Sequence, residues 1–168
     1  MLRALLGAGV ILIAAVAQVT WAPDLEVAGA FPNLVLLAIV AVAWVEGARP
    51  AMMLACAGGL LLDLMSLAPV VGPHAIALVV VAYLTGFWAR NLDRQGAVYV
   101  ALSAALATAV YSLVVAGLNG LSGLPVPALD AFSRLILAAC AYNALLMPVA
   151  AGLARRLNMA AGGKVEPA

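Results

Sequence analysis

The chain has 168 residues, 67% of them apolar, with eight basic and seven acidic side chains and a mean hydropathy of +1.18. A soluble domain averages roughly 45–50% apolar residues and about a quarter charged ones, so this composition excludes one, and with two cysteines and little charge it also excludes disorder, coiled coil and a disulfide scaffold. At about 20 residues per span, the chain reads as all-α: a polytopic integral membrane bundle of six transmembrane helices, one transmembrane domain over 1–168.

In chain order, the first apolar run covers 4–22, behind Arg3 and broken by Gln18 and Thr20. Its length and the interfacial residue Trp21 favour a retained span over a signal peptide cleaved after Ala15-Val16-Ala17. A short acidic segment with Asp24 and Glu26 leads to span two, 31–48, which opens on Phe31-Pro32 with proline in its first turn. Glu46-Gly47-Ala48-Arg49-Pro50 reads as a tight polar turn before span three, 51–68. A loop with Pro69, Gly72 and Pro73 precedes the short span four, 75–89, and the polar turn Arg90 to Gln95 leads to span five, 97–118. After a Gly/Pro-rich loop, span six covers 129–153 and carries Asn143 and Pro148, and 154–168 forms a short cytoplasmic tail.

Six spans segregate the charges. Arg3, Arg49, Arg90, Arg94, Arg155, Arg156 and Lys164 fall on one side and Arg134 near the other. The positive-inside rule then places both termini in the cytoplasm. The net charge of +1 and the absence of a basic stripe interleaved with aromatics argue against nucleic acid. Partners are expected in or along the lipid bilayer. Alanine richness supplies the small faces on which helices approach closely without a hydrophobic drive.

The search for chemistry finds no Gly-x-Ser-x-Gly, Walker, HExxH or paired-cysteine motif, so the chain reads as non-enzymatic with no cofactor. His74 reads as an interfacial cap, Cys56 and Cys140 as buried small hydrophobes, and Trp21, Trp44 and Trp88 as belt residues. Glu46 and Arg49 are spaced to pair across a helical turn or to lie in a solvated one. Asp63 is the informative residue, because a carboxylate inside a span costs roughly 2.5–3.5 kcal/mol. It ends the series Ala51, Ala55, Gly59, Asp63, which falls on nearly one helix face. That face is either a close helix contact ending in a polar anchor, or one whose aspartate reaches the headgroups. Asp63 and Arg134 are expected at equal depth, which permits an ion pair fastening span three to span six, directly or, where the helices are not adjacent, through Asn143 or a water.

Phe31-Pro32-Asn33-Leu34-Val35-Leu36, then Gly58-Gly59-Leu60-Leu61-Leu62-Asp63-Leu64, the Gly72 loop and Ala82-Tyr83-Leu84 resemble the rod shape-determining MreD family. Asn143 to Pro148 followed by Arg155-Arg156 is similar to its last span. The stretch Ala68 to His74 departs from the leucine-glycine pair common in that family. The resemblance implies a subunit of the cell-elongation (rod) complex that helps maintain cell shape and organise lateral peptidoglycan synthesis through MreC, with MreB, RodA and penicillin-binding protein 2 in the same complex. It also implies the fold of energy-coupling-factor transporter S-components, and hence an alternative as a small-molecule-binding transport subunit. Pro32, Asn33, Gly59, Asp63, Arg134 and Asn143 are the structural or interface candidates.

Overall fold

The computed structural model describes residues 2–26, 29–66, 70–91, 96–126 and 128–162. These fold into six α-helices with no strand: α1 (Leu2–Thr20), α2 (Leu34–Glu46), α3 (Ala48–Met65), α4 (Pro73–Asn91), α5 (Ala97–Leu121) and α6 (Leu129–Ala160), with a short 3-10 turn at Ala22–Leu25. Of the residues used in the charge segregation, Arg94 and Lys164 lie outside the described residues, as does Pro69 of the expected loop.

Four helices, α3 to α6, are long and apolar enough to cross a membrane. The expected count of six is thus met by length and composition at four. The cause is plainest in α2, whose 13 residues extend about 20 Å at helical rise, short of a hydrocarbon layer about 30 Å thick. Its expected first residues, Phe31 to Asn33, are not helical, because Asn33 caps the helix instead of entering it. The expected turn Glu46 to Pro50 contracts to a break at Gly47, and Arg49 and Pro50 lie in the first turn of α3. Proline costs little there, since its missing N–H would have had no helical partner. At the other end of the chain α6 passes through the expected tail to Ala160, and Pro148 sits inside it without ending it.

Packing is centred on α2, which touches all five other helices. Val35, Leu36, Leu37, Ile39, Val40, Ala41, Ala43 and Trp44 are buried around its circumference, so the helix has no polar face and no amphipathic stripe. Trp44 is therefore not a belt residue. Its Nε1 donates to Ser103 Oγ on α5 at 2.7 Å, and that hydroxyl donates to the Val100 carbonyl. The outward surface is apolar, with Leu12 and Ile13 on α1, Met53 and Leu64 on α3, and Leu145 and Val149 on α6 all exposed. Such a surface suits a lipid environment and not water. Cys56 belongs to it, contrary to the buried reading, while Cys140 is half-buried and donates from Sγ to the Ala105 carbonyl.

The tightest junction joins α3 to α4. A Cβ added at Gly59 would lie 2.3 Å from Ala75 Cα and 2.6 Å from Ala75 N. At the other end of the same pair, a Cβ at Gly86 would lie 2.4 Å from Ala48 Cβ and 2.5 Å from Ala48 Cα. In both cases the obstacle is at or beside backbone, which cannot rotate away, so two glycines set the separation of the helices along their length. Ala51, Ala55, Gly59 and Asp63 are all buried, so the small face read from spacing is the packed one. Gly59→Ala and Gly86→Ala are expected to destabilise by about 1–3 kcal/mol each through overpacking. Gly117→Ala, whose added Cβ meets nothing within 4 Å, should be neutral or mildly stabilising. Thermal melts of the three variants in one detergent check the contrast.

Candidate functional site

Buried Asp63, Thr108 and Asn143 gather around two helix N-termini. The first is that of α4. Its opening helical bond runs from Ile76 N–H to the Gly72 carbonyl, which leaves the amides of residues 72–75 without helical partners. Pro73 has no N–H to satisfy. The remaining three all donate to Asp63: Gly72 N to Oδ2 at 2.9 Å, His74 N to Oδ1 at 3.2 Å and Ala75 N to Oδ2 at 3.3 Å. Gly72 presents its amide from φ +125°, a backbone conformation that favours glycine. Asp63 is 1% exposed, so it is an interior anchor and does not reach the headgroups. Its charge also lies against the positive end of the α4 dipole.

The second N-terminus is that of α2. Asn33 Oδ1 accepts from Leu36 N at 3.0 Å, an N-cap on the third amide of the helix. Leu34 N donates to Gln18 Oε1 from α1. Asn33 N donates to Asn143 Oδ1 from α6 at 3.0 Å, and Asn143 Nδ2 donates to Thr108 Oγ1 on α5 at 3.0 Å. Thr108 in turn donates to the Ala104 carbonyl of its own helix at 2.7 Å. Asn143 is fully buried, and it holds α2, α5 and α6 in register through one amide group.

A third link lies beside the α4 cap. The Tyr111 hydroxyl on α5 and His74 Nδ1 share a hydrogen bond of 2.7 Å, and the two rings stack with centroids 5.8 Å apart. His74 therefore fixes α4 to α5 through its ring while its backbone amide is held by Asp63 on α3.

Five of the six sequence candidates belong to this region. Asn33, Asp63 and Asn143 make its hydrogen bonds, buried Pro32 leads into the α2 cap, and Gly59 admits the α4 backbone to within reach of Asp63. Arg134 does not belong to it. It is exposed and forms no ion pair among the described residues, and α6 packs on α5 and α2 while α3 packs on α4, α2 and α1. The Asp63–Arg134 pair is thus replaced by capping, since three backbone amides give the carboxylate the partners that a cation would have supplied. Glu46 and Arg49 are likewise exposed and make no ion pair with one another. Sequence reasoning overlooked Gln18, Thr108 and Tyr111 as members of the network. Thr108 and Tyr111 are three residues apart on one helical face, a signal that could have found them.

Nothing in this arrangement resembles a catalytic constellation. Every oxygen or nitrogen named above serves a backbone group or a neighbouring helix, and no group of three or more His, Cys, Asp or Glu suited to a metal ion occurs among the described residues. Asp63→Ala should cost about 3 kcal/mol or more, because it strands several buried amides at once. Asp63→Asn should cost less, keeping one acceptor oxygen. Asn143→Ala and Thr108→Ala should show a coupling of about 0.5–3 kcal/mol in a double-mutant cycle. Arg134→Gln should stay within about 0.5 kcal/mol of the parent. Detergent-solution unfolding of these variants is the measurement, and a large Arg134→Gln loss would reinstate the ion pair.

Comparison with known proteins accords with the sequence resemblance. No curated protein and no solved structure matches the chain. A family model described as rod shape-determining protein MreD matches residues 1–157, nearly the whole sequence. The chain belongs to the MreD family, and it is a multi-pass rod shape-determining membrane protein.

Proposed function

We propose that the chain is a non-enzymatic subunit of the bacterial cell-elongation complex. In this reading it lies in the cytoplasmic membrane with six crossings and both termini in the cytoplasm, and it holds MreC so that lateral peptidoglycan synthesis is organised along the side wall. MreB, RodA and penicillin-binding protein 2 are its further neighbours in the complex. The family assignment carries the proposal, because it covers residues 1–157.

The geometry supports a platform over a machine. The buried polar groups of Asp63, Ser103, Thr108 and Asn143 are used in capping and joining helices, which stiffens the bundle and leaves its outward apolar faces as the surface on which a single-span partner can pack. Pro32, Asn33, Gly59, Asp63 and Asn143 are assigned to building that platform. Arg134, exposed near the start of α6, is the one candidate whose side chain is available to a partner. A vitamin carrier of the energy-coupling-factor type would need several polar groups converging on an open cavity. The cavity beside Tyr111, Ser112 and Asn119 has a volume of about 220 Å³, below the roughly 300 Å³ at which small-molecule sites begin, and the larger groove between α1, α2 and α6, about 560 Å³, has mostly apolar walls and lacks such a convergent polar set.

Co-expressed MreC should co-elute with the chain in mild detergent and in nanodiscs. Asp63→Ala, which disturbs the platform, should reduce that recovery several-fold, while Arg134→Gln should weaken it without altering the melting temperature. Failure to co-elute in several detergents and in nanodiscs removes the basis of the proposal. For topology, single cysteines at Arg3 and Arg90 should be labelled only from the cytoplasmic side.

A further inference from the structure

The other end of the bundle, where both ends of the described chain lie, carries a different kind of feature. Between α1 and α6, floored by α2, runs a groove of about 560 Å³. Val10 and Ala14, Ala38 and Ala41, and Ala150 and Ala154 give it small, apolar walls. Two hydrogen bonds bracket it: Arg3 Nη2 donates to the Gly162 carbonyl at 2.9 Å at one end, and the Tyr142 hydroxyl donates to the Leu25 carbonyl at 3.1 Å beyond the other. From Arg3 to Ala17 the groove follows α1 for about 21 Å.

One end of the groove is polar. Arg3, Glu46 and Asn158 line it there. Asn158 is 6% exposed, and its Oδ1 is buried with no hydrogen-bond partner among the described residues. A buried amide oxygen without a donor carries a desolvation penalty, which an occupant bearing an N–H would recover. Arg3 commits one Nη2 donor to Gly162, and a guanidinium has five. The groove end therefore offers two acceptors, one of them anionic, beside a cation.

We propose that this groove holds one acyl chain of a phospholipid with a primary ammonium headgroup, a phosphatidylethanolamine. Its ammonium donates to Asn158 Oδ1 and faces Glu46, and its phosphate faces Arg3. The length suits a lipid tail, since about 21 Å exceeds the roughly 15 Å of one hydrocarbon leaflet. The volume suits one too. A partner helix of 20 residues is a cylinder about 10–12 Å wide and 30 Å long, several times the volume of the groove. Choline lipids have no N–H for Asn158, and glycerol lipids have no cation for Glu46, so the end of the groove discriminates between headgroups.

The test uses the full chain, extracted in mild detergent and supplied with equal phosphatidylethanolamine, phosphatidylcholine and phosphatidylglycerol, with retained lipid read by native mass spectrometry. One lipid should be retained, with about a tenfold preference for phosphatidylethanolamine, the value of one charge-assisted hydrogen bond. Asn158→Leu should bring that preference to within about twofold. Glu46→Gln, at an exposed position outside the packed core, should also reduce it and guards against a folding defect in the first variant. Ala150→Phe should fill the groove and abolish retention while the lipid-free protein melts no lower than the parent. A photoreactive side chain at Ala38 should label phospholipid in native membranes. No retained lipid, equal retention of the three lipids, a preference unchanged in both Asn158→Leu and Glu46→Gln, or labelling of a polypeptide at Ala38 would each overturn the proposal.

Discussion

A helix that begins inside an apolar bundle leaves amide donors that neither water nor its own carbonyls can satisfy, and each unsatisfied donor carries a penalty of several kcal/mol in hydrocarbon. This constraint organises the molecule. Both α2 and α4 begin against other helices, and buried Asp63 and Asn143 are placed where these two N-termini need acceptors. Asp63 meets the need of α4 alone. Asn33, Gln18 and Asn143 share that of α2. The cap is therefore also the tertiary fastening, since each acceptor except Asn33 comes from a different helix than the donors it serves.

The two halves of the α3–α4 junction depend on one another. Gly59 stands one helical turn before Asp63, and the backbone contact it permits with Ala75 brings the α4 amides to the carboxylate. Removing either half degrades the other: a side chain at residue 59 pushes the donors away, and loss of the carboxylate leaves the close approach to face unpaired amides. The α2 network couples in the same way. Asn143 uses its oxygen on α2 and its nitrogen on α5, so a shift of α6 along its axis breaks both bonds together. Such coupling makes the bundle resist sliding of helices, the deformation to which smooth apolar interfaces are most prone.

Much of the helical content was legible in the sequence because apolar runs and their Gly/Pro breaks define it directly. The small face Ala51, Ala55, Gly59, Asp63 follows from helical spacing, and of the two readings open for it the structure shows the buried one. Boundaries were less legible. The start of α2 depends on whether Asn33 enters the helix or caps it, and the expected Glu46–Pro50 turn depends on how little chain is needed to reverse direction at Gly47. The partner of Asp63 was not legible. The only cation expected near its depth was Arg134, and a search for charges overlooks backbone amides, which every residue but proline carries. The sequence shows which side chains require partners, while the relative placement of helices decides which partners they find.

The two ends of the bundle consequently differ in chemical state. At the end where α2 and α4 begin, the donors and acceptors of Gln18, Asn33, Asp63, Thr108 and Asn143 are turned inward on the protein. At the opposite end the Asn158 oxygen, buried beside the groove between α1 and α6, has no hydrogen-bond partner among the described residues. An asparagine in a capping position and an asparagine beside an open groove are the same residue with opposite consequences. The first converts its polarity into tertiary structure. The second retains it for a molecule that the chain does not contain.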